Sequence, residues 1–181
     1  MTFVDELAAA EIGETFNFYR DGAGSDLRRA RLRAYLEARA DAPLLLVAEA
    51  PGHRGTRVSG VPLTSERQLT GAGPAEATAT VVHAVLGELG VAGAVLLWNV
   101  VPTHPHRRGN PESNRPPTRR EVEGSAAFLA LLARGRQVIP VGRIAHQALG
   151  GEYVRHPAHG GAEEFREGLR RIARRKRVEE A

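Results

Sequence analysis

Three polar residues stand where apolar stretches of the sequence end or where a helix is about to begin. Glu49 follows the apolar run LLLVA, Asn99 follows the run AVLLW, and His156 lies in the segment RHPAHGG ahead of the last helical stretch. A carboxylate at the end of a buried strand is costly unless it is used or paired. An acid, an amide and an imidazole brought together would suit a pocket that moves protons and hydrogen-bonds to a ligand.

Each of these residues also has an interpretation without chemistry. Glu49 could accept hydrogen bonds from nearby backbone N–H groups, and Asn99 could form a turn at the end of a strand. His156, which precedes a proline, could satisfy backbone groups. Each position alone is ambiguous, but the three positions taken together favour a shared site.

Short apolar runs alternate with helical stretches along most of the chain. This alternation predicts an α/β fold, a three-layer αβα sandwich with a central four-stranded, mostly parallel sheet. In such folds the active site lies outside the carboxyl ends of the strands, so the three polar residues should meet there. The predicted strands are 44–48, 94–98, 137–141 and 153–155. The predicted helices cover about 74–89, a stretch that begins with a capping box at Thr118 and Glu121, and a stretch from about Ala162.

Length and composition exclude several classes of protein. The 181 residues suit one domain, 1–181, with residues 1–42 as an N-terminal helical segment packed on it. The absence of cysteine excludes disulfides, iron–sulfur clusters and a cysteine nucleophile. The first residues lack the layout of a signal peptide, and no apolar run approaches the ~20 residues of a membrane span. We therefore expect a cytoplasmic protein with no membrane partner.

The three loops resemble the signature loops of the uracil-DNA glycosylase superfamily. The matching features are Glu-Ala-Pro-Gly at 49–52, the strand-end Asn99 and His-Pro-Ala at 156–158, in the order that the family shows. The segments GVPLTSE and VGR extend the likeness over roughly residues 43–170. The Glu-Ala-Pro-Gly form is most similar to family 4 and related bacterial branches, although the cysteines that hold their iron–sulfur cluster are absent.

The resemblance implies a DNA glycosylase of base excision repair that removes a flipped-out uracil or another damaged or deaminated base. Cleaving an N-glycosidic bond builds positive charge on the sugar and negative charge on the departing base. By resemblance, Glu49 would activate water and His156 would support the leaving base, as the catalytic pair. Ala50, Leu63 and Asn99 would bind the base once it has left the stack.

The same resemblance implies a hydrolase that needs no cofactor, because water is the nucleophile. The single lysine, Lys176, lies far along the tail, so a Schiff-base lyase is not expected and the enzyme should be monofunctional. Two departures leave alternatives open. Ala50 stands where the best-known members have an aspartate, and Leu63 stands where relatives have a stacking phenylalanine. A non-catalytic damaged-DNA-binding protein, or a hydrolase of free nucleosides, could use the same scaffold.

The expected partner is DNA, bound by a monomer through basic residues around the loops. The segment from His104 to Pro117 is rich in proline and arginine, although a solvated loop would have the same composition. His104, His106 and His159 also suggest metal ligands, but structural zinc commonly needs four ligands, often cysteines, so no metal is expected. The predicted DNA-binding residues are His53, Arg54, Arg57, His104, His106, Arg107, Arg108, Arg115 and His159.

Overall fold

A computed structural model describes the backbone of residues 1–179 and the side chains up to Arg175. The side chain of Lys176 lies outside the described residues. The prediction that no lysine is placed for a lyase reaction is therefore not tested for this residue. The helices are α1 Phe3–Ala9, α2 Ser25–Glu37, α3 Thr56–Ser59, α4 Glu66–Thr70, α5 Ala77–Glu88, α6 Arg119–Ala133, α7 Arg143–Leu149 and α8 Ala162–Glu179, with a 3-10 turn at Ala92–Ala94. The strands are β1 Thr15–Phe16, β2 Leu44–Ala48, β3 Val95–Asn99, β4 His104–Pro105 and β5 Gln137–Pro140.

The central sheet is parallel, with β2 between β3 and β5. The predicted fourth strand is reduced to a single parallel bridge between Val154 and Val141. The N–H of Val154 donates to the Pro140 carbonyl at 2.9 Å, and Val154 accepts from Gly142 at 2.8 Å. Pro157 has no N–H to extend the ladder, and the chain leaves the sheet before it. The α/β prediction with a parallel central sheet is confirmed, with a shorter fourth member than expected.

The side chains of β2 alternate between two buried layers, as a strand covered on both faces requires. Leu44 and Leu46 pack toward the apolar sides of α5 and α8. Leu45 and Val47 pack on the other face, against apolar residues of α1, α2, α6 and α7. Burying a leucine side chain contributes roughly 1.5–3 kcal/mol, so these two layers stabilise the sheet. They also hold the carboxyl edge of the sheet in place.

The N-terminal region is more than the helical segment predicted from its sequence. The two-residue strand β1 pairs antiparallel with β4, and the Thr15 and Thr103 hydroxyls lie 2.5 Å apart. The Tyr19 hydroxyl donates to the Gly60 carbonyl at 3.0 Å. Helix α2 is capped by Gly24 in a left-handed conformation, with φ of 81°. Residues 1–24 therefore fasten two loops that follow β2 and β3.

Within residues 1–179, no helix combines the length and the apolar character that crossing a membrane requires.

Candidate active site

A cavity of about 340 Å³ opens at the carboxyl edge of the sheet, and all three polar residues singled out in the sequence line it. Glu49 follows β2, Asn99 ends the neighbouring β3, and His156 follows the Val154 bridge on the other side. The parallel arrangement brings these residues together although they are far apart in sequence, because parallel strands end at one edge.

The backbone of Glu49 is fixed while its carboxylate stays uncommitted. The Glu49 carbonyl accepts a hydrogen bond from the Val101 N–H at 3.1 Å, which extends the pairing beyond the strand. Among the residues described, no backbone or side-chain group donates a hydrogen bond to the Glu49 carboxylate, so it does not cap the backbone there. Burial raises the pKa of the Glu49 carboxyl above its usual range. A half-buried, unpaired carboxylate on a cavity is placed to bind water or a ligand.

Asn99 brings an unused amide to the same cavity. The residue is only 2% exposed and lies beside Ala48 in the parallel register. Its side chain makes no hydrogen bond with any residue that the structure describes. An amide offers donors and acceptors, which is what reading a base edge requires. An asparagine that forms a turn bonds its side chain to nearby backbone, and no such bond is present here, so the interpretation as a turn-former does not fit.

His156 is held in one neutral form by its own loop. Its Nδ1 accepts a hydrogen bond from the Ala158 N–H at 3.1 Å, which leaves the ring proton on Nε2. Burial, reinforced by the positive charges of His159 and Arg155, keeps the pKa of His156 below its usual range. The ring also packs closely on Gly142, where an added Cβ would lie 2.9 Å from the His156 Cβ. His156 can thus donate through Nε2–H without carrying a charge.

Comparison with known proteins identifies this arrangement. The family model described as the uracil DNA glycosylase superfamily matches residues 36–174, more than half of the chain. This chain belongs to the uracil DNA glycosylase superfamily. The crystal structure of wild-type SMUG2 from Pedobacter heparinus is similar over 100% of both chains, with a TM-score of 0.68 and 14% identity, a likeness that shows the fold. No curated protein matches the chain.

The cavity of this superfamily member also contains an apolar residue with a strained backbone, Leu63. Leu63 is 6% exposed and adopts a left-handed backbone conformation with φ of 49°. Such a conformation costs a non-glycine residue about 1–2 kcal/mol. It is held here by the Thr56 hydroxyl, which accepts from the Leu63 N–H at 3.0 Å. Ala50 lines the same cavity, so both positions carry apolar side chains.

Glu76 and Asn114 are among the cavity residues that sequence reasoning did not find. Glu76 lies at the N-cap of α5, and Asn114 belongs to the loop before α6. The Asn114 amide oxygen accepts from the His53 N–H at 3.1 Å, which ties that loop to the segment after Glu49. The sequence predicts a helix from about residue 74, and an acidic residue in a first helical turn is common. Glu76 therefore gave no signal of a role in the cavity.

Most of the predicted DNA-binding residues are at least partly exposed, and two of them, Arg115 and His159, line the cavity. Arg54, Arg107 and Arg108 are exposed, and their side chains have no partner among the residues described. His159 is exposed, lines the cavity and has a left-handed φ of 53°. Their contact with DNA stays a prediction.

Three further residues of that set are half-buried. The Arg57 guanidinium lies 5.4 Å from the centre of the Phe16 ring. His106 approaches the Arg107 carbonyl at 3.0 Å through Nδ1. The Nδ1 of His53 is buried and has no partner in the described part of the chain. These side chains are partly accessible, and their role in binding DNA is likewise untested.

Two of the predicted DNA contacts need correction. His104 is completely buried, with its ring nitrogens 2.8 Å from the Pro51 carbonyl and 3.2 Å from the Pro111 carbonyl, so it faces no groove. Arg115 has five N–H donors, and all are used within the protein. They donate to the carbonyls of Glu14, His106 and Pro116 and to both carboxylate oxygens of Glu121. Both side chains fasten loops and leave no group for phosphate.

Within the described residues, no group of three or more histidine, aspartate or glutamate side chains is placed to hold a metal ion.

Proposed function

We propose that this chain is a monofunctional DNA glycosylase that hydrolyses the N-glycosidic bond of a flipped-out uracil or another damaged or deaminated base, as in base excision repair. The observation that carries this proposal is the convergence of Glu49, Asn99 and His156 on one cavity of about 340 Å³. A cavity of this size, lined by both polar and apolar side chains, suits a small planar ligand that has hydrogen-bonding edges. Membership of the superfamily supports the reaction class.

The three groups divide the work by charge. As the C1′–N bond lengthens, the sugar becomes positive and the base becomes negative. The ionised Glu49 carboxylate would stabilise the sugar cation and take a proton from the attacking water. The neutral His156 would donate its Nε2–H to a base oxygen that gains negative charge, as a donor of an oxyanion hole does. Asn99 would fix the base by hydrogen bonds to its edge.

The reaction proposed here needs no cofactor, because water is the nucleophile and the protein supplies the charges. One chain supplies all three groups, so we propose that it acts as a monomer. The exposed Arg54, Arg107 and Arg108 have guanidinium groups that are free among the described residues and could contact DNA phosphates.

A substrate panel tests the proposal. Oligonucleotides carrying one uracil, hypoxanthine or mismatched base, in single and double strands, are incubated with the protein and treated with alkali to cleave abasic sites. We expect cleavage at one or more of these bases. Glu49→Gln should lower the rate by about 10²–10⁴-fold, and His156→Ala by about 10²–10³-fold. The exposed Glu37→Gln is the matched control and should leave the rate unchanged. Cleavage that survives both active-site substitutions would refute these roles.

A damaged-DNA-binding protein without catalysis is the second candidate. It is favoured by Ala50, which removes a possible second carboxylate, and by Leu63, which cannot stack on a base as an aromatic ring does. The same panel decides between them. Tight, salt-sensitive binding to uracil-containing or abasic DNA, with no product after long incubation, would select the binding protein.

A further inference from the structure

Glu76 reaches the cavity from a helix rather than from a strand. It is the N-cap residue of α5, with extended backbone angles (φ −120°, ψ 130°), yet its side chain makes no cap hydrogen bond. The carboxylate turns instead toward the loop after Glu49. A Cβ built on Gly52 would lie 2.7 Å from Glu76 Oε1, and one built on Gly55 would overlap Oε2. The two glycines therefore leave the space that the Glu76 carboxylate occupies.

Nothing in the described part of the chain neutralises this carboxylate. Neither the Glu76 nor the Glu49 carboxylate has a hydrogen bond or ion pair there, and the arginine that lines the cavity, Arg115, is already paired with Glu121. Burial raises the pKa of both glutamates, and Glu76 is the more enclosed of the two. Burial disfavours the ionised form of a carboxyl group, so the more enclosed Glu76 is the better placed of the two to carry a proton.

We propose that Glu76 is a second catalytic carboxylate, the general acid that protonates the departing base. The inference rests on the proposed glycosylase function. Glu49, the less enclosed carboxylate, would then be the base that acts on water. The pair resembles the division of labour in other enzymes that cleave glycosidic bonds, where one carboxyl group gives a proton and another takes one.

The step balances in atoms and charge. The C1′–N bond breaks and its electron pair passes to the base, which takes the proton of the Glu76 carboxyl. Water forms the new bond to C1′ and gives a proton to Glu49. Glu76 ends ionised and Glu49 ends protonated. Glu49 then releases one proton to solvent through the open cavity and Glu76 takes one up, which restores both.

This role predicts that Glu76 matters most when the base is a poor leaving group. Glu76→Gln keeps the shape of the side chain but cannot transfer a proton. We expect it to slow single-turnover cleavage of uracil by about 10²-fold or more, as loss of a general acid does. Cleavage of 5-fluorouracil, a more acidic base that departs readily as an anion, should slow less than about 3-fold. If the panel identifies a purine, the same comparison uses its 7-methylated form, which departs without protonation.

The pH profile gives a second readout that a purely structural role would not move. The wild-type rate on the poorer leaving group should fall at alkaline pH as Glu76 ionises, and this fall should be absent in Glu76→Gln. Glu76→Asp, which keeps an acid, should retain the alkaline fall and recover part of the rate. Thermal unfolding of each variant checks that the fold is kept.

The outcomes separate this inference from the proposed function. If the wild-type protein cleaves no base in the panel, the proposed function and this inference fall together. Suppose that Glu49→Gln abolishes cleavage, whereas Glu76→Gln slows the cleavage of both bases by the same factor or slows neither. The acid role of Glu76 is then refuted, and the proposed glycosylase function stands. Glu37→Gln serves again as the control and should change neither the leaving-group ratio nor the pH profile.

Discussion

Replacing Arg115 with leucine distinguishes a phosphate contact, as the sequence predicts, from a loop clamp, as the structure shows. The Glu121 side chain is 1% exposed and Arg115 is its ion-pair partner at 2.6 Å. Removing one member of a buried pair leaves an uncompensated charge and costs about 3–5 kcal/mol. For a chain of this size, each kcal/mol corresponds to about 2–4 °C, so the melting temperature should fall by about 6–20 °C.

The loss of stability in Arg115→Leu should depend on pH in a defined direction. Burial by itself raises the pKa of Glu121, but the hydrogen bonds from Arg115 and Thr118 outweigh it and lower the pKa below 4.5. A carboxylate of this kind contributes stability above its unfolded pKa and loses that contribution as pH falls through its folded pKa. The difference in the free energy of unfolding between wild type and Arg115→Leu should therefore be largest at neutral pH and shrink below about pH 4. Replacing Arg115 and Glu121 together should cost less than replacing Arg115 alone.

Calorimetry and salt-dependent DNA binding provide the measurement. The exposed Arg108→Leu is the matched control, since its side chain has no partner in the described residues. If Arg108 meets a phosphate, its removal should lower the slope of log K against log salt by about 0.9. Its melting temperature should stay close to that of the wild type. The clamp interpretation is refuted if Arg115→Leu melts like the wild type and lowers the salt slope by the same amount.

Three further predictions concern the residues of the cavity and its surroundings. Nitrogen-detected NMR at pH 7 should find His156 neutral with its proton on Nε2, and its titration midpoint below 6.5, because burial and neighbouring positive charge disfavour the imidazolium. Leu63→Phe should tighten binding to uracil-containing DNA by about 5–150-fold, the range of one base–aromatic stack. Gly142→Ala, at φ of 87° and against the His156 ring, should lower cleavage strongly, whereas Gly135→Ala, at φ of 70° with open space, should cost stability alone.

Each of these expectations has an outcome that contradicts it. A midpoint above 6.5, or a proton on Nδ1, would remove the neutral donor from the mechanism. Unchanged affinity in Leu63→Phe would mean that this side chain does not face the base. Equal cleavage by the two glycine variants would show that the packing of Gly142 on His156 has no catalytic consequence.

The parts of this protein that follow from local sequence were predictable. The runs around β2 and β3 are apolar and bounded by turn residues, so their burial and their strand ends could be predicted. The capping box at Thr118 and Glu121 is likewise local, since both of its hydrogen bonds join residues three apart. Because parallel strands end at one edge, placing Glu49 and Asn99 together required only the strand order.

The rest depended on contacts between distant segments. The β1–β4 pair joins two-residue strands about ninety positions apart, too short for any periodicity to show. His104 and Arg115 resemble ordinary basic loop residues until their partners are known. The distant partners are the carbonyls of Pro51 and Glu14, whereas the carboxylate of Glu121 lies six residues after Arg115. Glu76 was missed because the helix begins three residues later than its sequence indicates, which turns a first-turn residue into a cap position that faces the cavity.

The fastening of the cavity loops by the N-terminal segment has a practical consequence. The family model begins at residue 36, whereas Thr15 and Tyr19 hold Thr103 and Gly60 from outside that boundary. A shortened version trimmed to the family limits for crystallisation, or fused to another protein at residue 36, would keep every residue of the cavity but leave two of its supporting loops without their ties. The smallest piece worth engineering in this chain therefore starts near its first helix.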